Sequence, residues 1–125
     1  MPERDASFPR DRRLRKRREF DLVMGRAPGA GDGTMVVHAL PRTRPGPSRL
    51  GLVVGRRLGK AVLRNRIKRR LRAAFRTSAA LADGVELVVV ARSGNLAEMP
   101  FGELRRRLER LAARSLARGK GPGRC

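Results

Sequence analysis

The sequence predicts a small α+β domain in which one mixed sheet of short strands packs against about three helices. Apolar residues recur at helical spacing in two long segments, at about 61–76 and 101–117. β-branched and other apolar residues fill three shorter segments, at 34–40, 49–55 and 85–91. The chain has 125 residues, of which 40% are hydrophobic, so it can bury one modest core. We therefore expect a single folded unit in the order helix, strand, strand, helix, strand, helix.

One short helix and a loop are predicted before the first strand. The apolar positions of this helix are Leu14, Phe20, Val23 and Met24. Glycine commonly stops helices, so we expect the helix to end at Gly25. The glycines of the following segment, GRAPGAGDG at 25–33, come after no strand. We therefore interpret this segment as a flexible loop and not as a phosphate-binding motif.

Two strands are predicted on either side of a proline-rich loop at 41–48. TMVVHAL at 34–40 is rich in β-branched residues and is followed by Pro41, and RLGLVVG at 49–55 has a similar composition. The third strand, VELVVVA at 85–91, is a continuous apolar run, which is typical of a strand buried on both faces. Together with the helix between them, the last two strands predict one β-α-β unit.

The chain ends are expected to be disordered. We assign residues 1–12 to a basic N-terminal tail, residues 13–117 to a single α/β domain and residues 118–125 to a C-terminal tail. Apolar runs fall far short of the roughly 20 residues that a membrane span needs, and the N-terminus lacks the apolar core of a signal peptide. The single cysteine, Cys125, cannot form an internal disulfide. We expect a cytoplasmic protein.

Positive charge is the strongest compositional signal. The formal net charge is +20, and residues 33–82 contain thirteen Arg or Lys and no Asp or Glu. Such a charge repels itself, so a polyanionic partner is the simplest reason to carry it. There are four Phe and no Tyr or Trp, so aromatic stacking can supply only a small part of nucleic-acid binding.

The stretch KAVLRNRIKRRLR at 60–72 concentrates this charge on an amphipathic helix. The apolar positions of the helix are Leu63, Ile67, Leu71, Ala74 and Phe75. The opposite side carries Asn65, Lys68, Arg69, Arg72 and Arg76, with Arg66 and Arg70 on a flank. A charge run is most often only a solvated face. Here no acid lies four residues away to relieve the repulsion, which favours a nucleic-acid partner.

Catalytic groups are scarce. GRRLGKA at 55–61 has three residues between its glycines and an alanine after the lysine, so it fails the requirements of a nucleotide phosphate loop. His38 is the only histidine and lies in mid-strand, where a packed or groove-lining role is expected. The acids are scattered, and Asp83 and Glu86 look structural. We predict no catalytic residue and no metal site on the protein.

KAVLRNRIKRRLR resembles the arginine-rich signature of the protein subunit of bacterial ribonuclease P. The lead-in LGLVVGRRLGKAV, the first-helix segment LRKRREFDLVMGRA and the strand ELVVVAR fit the same order, and the resemblance covers about residues 12–117. It implies a ribosomal protein S5 domain 2-like fold with a left-handed β-α-β crossover, an exception to the right-handed rule. It also implies a ribonucleoprotein endonuclease that removes the 5′ leader of precursor tRNA by phosphodiester hydrolysis. A catalytic RNA would carry the active site and hold most of the Mg²⁺.

The resemblance assigns two surfaces to this sequence. The residues expected to contact the catalytic RNA are Arg56, Arg57, Lys60, Arg64, Asn65, Arg66, Lys68, Arg69 and Arg72. The residues expected to line a cleft for the single-stranded leader are Phe20, Met24, Val36 and His38. Met24 and His38 stand where the family often has aromatic residues. Precursor tRNA is the second expected partner, with no membrane and no obligate protein partner.

Charge and size alone leave two other functions open. One is a structural RNA-binding protein, such as a ribosomal protein, which would follow ribosomal subunits through high-salt sedimentation. The other is a DNA-compacting protein, which would bind duplex DNA and RNA with comparable affinity and a steep salt dependence.

Overall fold

The molecule, a computed structural model, is described over residues 13–14, 16–43 and 45–119. Its helices are α1 (Arg17–Arg26), α2 (Ala61–Arg76) and α3 (Phe101–Gly119). Its strands are β1 (Gly29–Gly31), β2 (Met35–Pro41), β3 (Arg49–Val53) and β4 (Val85–Ala91). Short 3-10 turns lie at Arg56–Leu58, Ala79–Leu81 and Gly94–Ala97. The predicted α+β class, a mixed sheet with three helices, is confirmed.

The four strands of the described chain form one sheet in the order β1-β2-β4-β3. β2 pairs antiparallel with both β1 and β4, while β3 pairs parallel with β4. A parallel pair needs a crossover connection, and α2 supplies it. The predicted β-α-β unit is therefore confirmed, and the left hand of its crossover stays a prediction.

The glycine-rich segment at 25–33 is not simply a flexible loop, as the sequence suggested. Residues 29–31 form the edge strand β1, in which Gly29 lies opposite His38 and Gly31 opposite Val36. A Cβ on Gly29 would lie 2.9 Å from side-chain atoms of both His38 and Val36. The lack of side chains, which weakens the strand signal in the sequence, is what lets this segment lie against β2.

The other predicted elements differ from the observed ones only at their ends. α2 and β4 have the expected bounds, while β3 ends at Val53 and α3 continues past residue 117 to Gly119. Residues 118 and 119 of the predicted C-terminal tail belong to α3. The other tail residues, 1–12 and 120–125, lie outside the described residues. No helix in the described ranges is long and apolar enough to cross a membrane.

The sheet separates two cores of unequal size. The larger core lies between the sheet and the helices α2 and α3, and includes Met35, Val37, Leu87, Val89, Ile67, Leu71, Phe75, Leu104, Leu108 and Leu111. The smaller core lies between the opposite face of the sheet and α1, and consists of Leu14, Val23, Ala27 and Val88 with Phe20, Leu40 and Val90 at its margin. The first helix therefore covers one face of the sheet while the two longer helices cover the other.

Candidate nucleic-acid interfaces

The helix α2 begins at a turn that only glycine adopts easily. Gly59 has φ of 140°, and a Cβ there would lie 2.7 Å from the Leu63 side chain. Lys60 is the N-cap residue and is exposed. This turn sets the direction of α2, whose buried residues Ile67 and Leu71 then lie on the sheet.

The outward side of α2 carries the charges that the sequence predicted there. We call Asn65, Lys68, Arg69, Arg72 and Arg76 on this side, together with Lys60 and Arg64 at the start of the helix, the basic strip. Arg64 is partly buried and donates through Nε to the Gly59 carbonyl at 3.0 Å. Asn65, Arg69 and Arg76 are exposed, while Lys68 and Arg72 are partly covered. Burial lowers the pKa of Arg72, and the nearby positive charge of Arg13 lowers it further. The two arginines thus repel each other, and an anion bound between them would relieve that repulsion.

Two arginines of the same stretch also hold the fold together. Arg70 donates through Nη1 to the Leu96 carbonyl at 2.7 Å and through Nη2 to the Met99 carbonyl. Arg66 donates through Nε to the Ala97 carbonyl at 3.0 Å. Both therefore fasten the turn that precedes α3 to the flank of α2. Arg66, which the resemblance assigned to RNA contact, has this structural bond as well, and its remaining guanidinium nitrogens are not committed to it.

The opposite face of the sheet is organised in rows that follow the strand register. Directly paired residues share a face, so Gly31, Val36, Val90 and Val53 form one row across all four strands. The next row contains Gly29, His38, Val88 and Gly51. The helix α1 lies over the second row and leaves the first one open. We call the open row of Val36, Val90 and Val53 the valine shelf.

Close contacts fix α1 over the second row. A Cβ on Gly51 would lie 2.7 Å from two carbons of the Phe20 ring, so glycine is what lets that ring settle on β3. At the other end of α1, His38 Nδ1 lies 2.9 Å from the Ala27 carbonyl. A carbonyl only accepts hydrogen bonds, so this ring nitrogen carries the proton and donates it.

Ion pairs hold the side of α1 that carries Glu19 against the sheet. Arg49 on β3 pairs with Glu19 of α1 at 2.8 Å and with Glu86 of β4 at 3.3 Å. All three side chains are less than one-third exposed. Phe20 and Met24 lie one turn apart on the flank of α1 away from Glu19, so they line the side that borders the valine shelf.

The structure therefore brings the four predicted cleft residues to one place. Phe20, Val36 and His38 are partly buried at the junction of α1 and the sheet, and Met24 is 38% exposed on the rim. The valine shelf supplies the floor between them, and this floor is apolar.

Sequence reasoning missed three residues of this cleft. Val53, 38% exposed, and Val90 complete the valine shelf beside Val36. The strand of Val90 was interpreted as buried on both faces, and no exposure was predicted for Val53. Only the strand register shows that α1 leaves both of them uncovered. Arg92 is exposed just beyond β4, two residues after Val90, so strand alternation favours the same face for it.

Arg56 and Arg57 lie between the two surfaces. Both are exposed in the 3-10 turn that leads from β3, one margin of the cleft, to the start of α2. The described residues contain no group of three or more His, Cys, Asp or Glu that could hold a metal ion.

Comparison with known proteins decides the family. The model of the ribonuclease P family matches residues 8–115. The chain belongs to the ribonuclease P protein family. A ribonuclease P protein component of Symbiobacterium thermophilum is 42% identical over 104 residues, which cover 82% of this chain and 90% of the relative. One from Geobacillus kaustophilus is 36% identical over 110 residues, covering 87% and 90%.

Solved structures of ribonuclease P proteins share the fold. The protein from Thermotoga maritima has a TM-score of 0.68 at 32% identity, with 81% of this chain and 96% of that chain covered. The one from Staphylococcus aureus has a TM-score of 0.66 at 29% identity, covering 82% and 93%. This ribonuclease P protein is thus a subunit of an endoribonuclease, which favours the first of the three functions that the sequence left open.

Proposed function

We propose that this ribonuclease P protein binds the RNA subunit through the basic strip of α2 and holds the 5′ leader of precursor tRNA on the valine shelf. The observation that carries the proposal is the placement of these surfaces on opposite faces of one sheet. Ile67 and Leu71 pack α2 on one face, and Val23 packs α1 on the other. Each surface can therefore bind its own segment of RNA without competing with the other.

The basic strip suits the phosphate backbone of a folded RNA. Arginine forks match phosphate oxygens in pairs, and Lys68 adds a point charge at the side of the strip. Asn65 is the uncharged member of the strip and is exposed in its middle. Its amide can donate to and accept from a base edge or a ribose hydroxyl, which gives the strip one contact that a purely cationic surface would lack.

The cleft suits a single strand without secondary structure. Its floor is apolar and its wall holds the Phe20 ring, a combination on which an unpaired base can stack. Arg56 and Arg57 at its margin are placed to meet the phosphates of the same strand. Paired bases already stack on one another and would gain little from the shelf, so the cleft favours an unpaired leader.

The chemical step is assigned to the RNA. Mg²⁺ prefers several oxygen ligands in octahedral geometry, usually including carboxylates. The carboxylates of Asp32, Glu19 and Glu86 are instead paired with arginines. The described residues also contain no group of three or more His, Cys, Asp or Glu, so they do not fit a Mg²⁺ site. We propose that the ions are held mainly by the RNA subunit. The protein's part is to bind, orient and neutralise phosphate charge.

Reconstitution tests this function. Purified protein is added to a bacterial ribonuclease P RNA at low Mg²⁺, and cleavage of precursor tRNA is followed at its 5′ end. We expect faster cleavage with the protein, preference for substrates that carry a leader, and no cleavage by the protein alone. An RNA whose activity and leader preference stay the same after the protein is added would refute the proposal.

A further inference from the structure

A second row of arginines runs along the outer face of α3. Its members, which we call the arginine row, are Arg106, Arg110, Arg114 and Arg118, and all four are exposed. Each follows the last by four residues, which advances an α-helix by about 6 Å. The row is therefore about 18 Å long. The apolar side of the same helix is buried against the sheet, so the row faces away from the core.

Among the described residues, acids do not form ion pairs with the arginine row. Among the described residues of α3 the only acids are Glu103 and Glu109. Glu103 pairs with Arg107 at 2.8 Å, and Glu109 accepts a hydrogen bond from the Ser78 hydroxyl at 2.5 Å. From residue 110 to residue 125 the sequence contains no Asp or Glu. Like charges four residues apart destabilise a helix, so the row costs stability unless an anion binds it.

The guanidinium groups of the row are available to a partner. Arg106, Arg110 and Arg114 make no hydrogen bond or ion pair within the described part of the chain, and only Arg118 donates, to the Gly29 carbonyl at 2.7 Å. The exposed residues beside them on this side include Ala113 and Ala117. These short side chains leave room for a nucleic-acid backbone to approach closely.

The arginine row begins where the basic strip ends. Arg105 Nη1 donates to Thr77 Oγ1 at 3.3 Å, and Thr77 directly follows Arg76, the last residue of α2. Both helices pack on the same face of the sheet. The end of the strip at Arg76 and the start of the row at Arg106 thus lie close together on the helical layer. From there the row runs along α3 to β1, where Arg118 reaches Gly29.

We propose that the arginine row is a further RNA-binding surface that contacts phosphates of the RNA subunit next to the basic strip. The inference rests on the proposed function of that strip. The forks of four exposed arginines match the phosphate oxygens of a nucleic-acid backbone, and contacts to phosphates carry no sequence information. The RNA subunit is the occupant because its phosphates complement the charge of the row, and because the row starts beside the end of the strip on the same helical layer.

A pair of charge-matched variants tests the row. The first is Arg110→Gln with Arg114→Gln, and the control is Arg17→Gln with Arg26→Gln, two exposed arginines of α1. Each variant removes two charges and keeps a good helix former at every position. Affinity for ribonuclease P RNA is measured over a range of salt concentrations. Each lost phosphate contact reduces the salt slope by about 1, so the row variant should show a slope shallower by about 2 and bind about tenfold more weakly at low salt.

The outcomes separate this inference from the proposed function. If the unchanged protein does not bind the RNA, both proposals fail. If it binds, if Lys68→Ala with Arg69→Ala weakens binding, and if the row variant matches the α1 control in slope and affinity, the proposed function stands and the arginine row is only a solvated face. If the row variant assembles normally and the assembled enzyme instead loses affinity for precursor and mature tRNA alike, the occupant is tRNA and the inference is overturned.

Discussion

Asp32 joins the β1–β2 turn to α3 through one carboxylate. Oδ1 accepts from the Thr34 amide at 3.0 Å and the Thr34 hydroxyl at 2.6 Å, and Oδ2 accepts from Arg107 Nη1 at 3.0 Å. Burial by itself would raise the pKa of Asp32, but these hydrogen bonds together outweigh it and lower the pKa below the usual value of an aspartate. The hydrogen bond that Arg107 donates to Glu103, and then the one that it donates to Asp32, raise the pKa of Arg107.

Replacing Asp32 by Asn should destabilise the protein in a pH-dependent way. A carboxyl whose pKa is lowered on folding adds stability above its unfolded pKa and loses it as the pH falls through the folded value. We expect Asp32→Asn to cost about 1–3 kcal/mol at pH 7. The difference in unfolding free energy between the variant and the unchanged protein should shrink below about pH 4. Urea unfolding of both proteins at pH 7 and below pH 4 measures this difference. The same difference at both pH values would contradict the prediction.

Gly51 is the residue on which the position of the Phe20 ring depends. Gly51→Ala would place a Cβ 2.7 Å from two ring carbons, so the ring must move. We expect a loss of about 1–3 kcal/mol in unfolding free energy from this overpacking. Gly25→Ala is the control, because nothing lies within 4 Å of a Cβ at that helical position. A Gly51→Ala protein as stable as the control would show that the ring is not held there.

Individual residues could be predicted where a local sequence motif identifies them. The cleft positions Phe20, Val36 and His38 follow from the family resemblance, and the structure brings them together. Val53 and Val90 could not be found in this way, because their exposure depends on where α1 ends relative to the strand register. The Asp32–Arg107 pair was also hidden, since 75 residues separate its members in the sequence.

Within α2, neighbouring arginines have different tasks. Arg70 donates to two carbonyls of the turn before α3, whereas Arg69 is exposed and makes no hydrogen bond or ion pair with other described residues. The sequence placed Arg70 on a flank of the helix by its periodicity. It could not show that the flank meets backbone carbonyls, because the turn at Gly94–Ala97 carries little sequence signal.

Alanine at these two positions should separate folding from RNA binding. We expect Arg70→Ala to lower the free energy of unfolding by about 1–3 kcal/mol, because it leaves carbonyls without a donor. Arg69→Ala should change it by less than about 0.5 kcal/mol and should weaken RNA binding. Thermal or urea unfolding and an RNA-binding titration give both values. Equal stability of the two variants would contradict the structural role of Arg70.

Elements with strong periodicity were predicted well, and the edge strand was not. α2 and β4 carry continuous apolar patterns that leave few alternatives for their bounds. β1 has two glycines in three residues, which have low strand propensity, and it forms because β2 offers it a partner edge. Its existence is decided by tertiary contact and not by local composition.

At the scale of the whole molecule, the described residues present two chemically different surfaces, one on each face of the sheet. The helical layer presents the basic strip, and the α1 side presents an apolar cleft with arginines at its margin. The fold class and the basic helix could be predicted from periodicity and charge. The separation of the two surfaces could not, because it depends on the order of strands in the sheet and on which face each helix covers.

The ratio of affinities for precursor and mature tRNA tests this two-sided account most directly. It is measured for enzymes assembled at saturating protein with the unchanged chain, with Phe20→Leu, which keeps an apolar side chain in the small core, and with Lys68→Ala and Arg69→Ala together. We predict that only Phe20→Leu lowers the ratio, by severalfold, while the double variant needs more protein to assemble but keeps the ratio. A ratio that falls in the double variant and stays unchanged in Phe20→Leu would contradict the account.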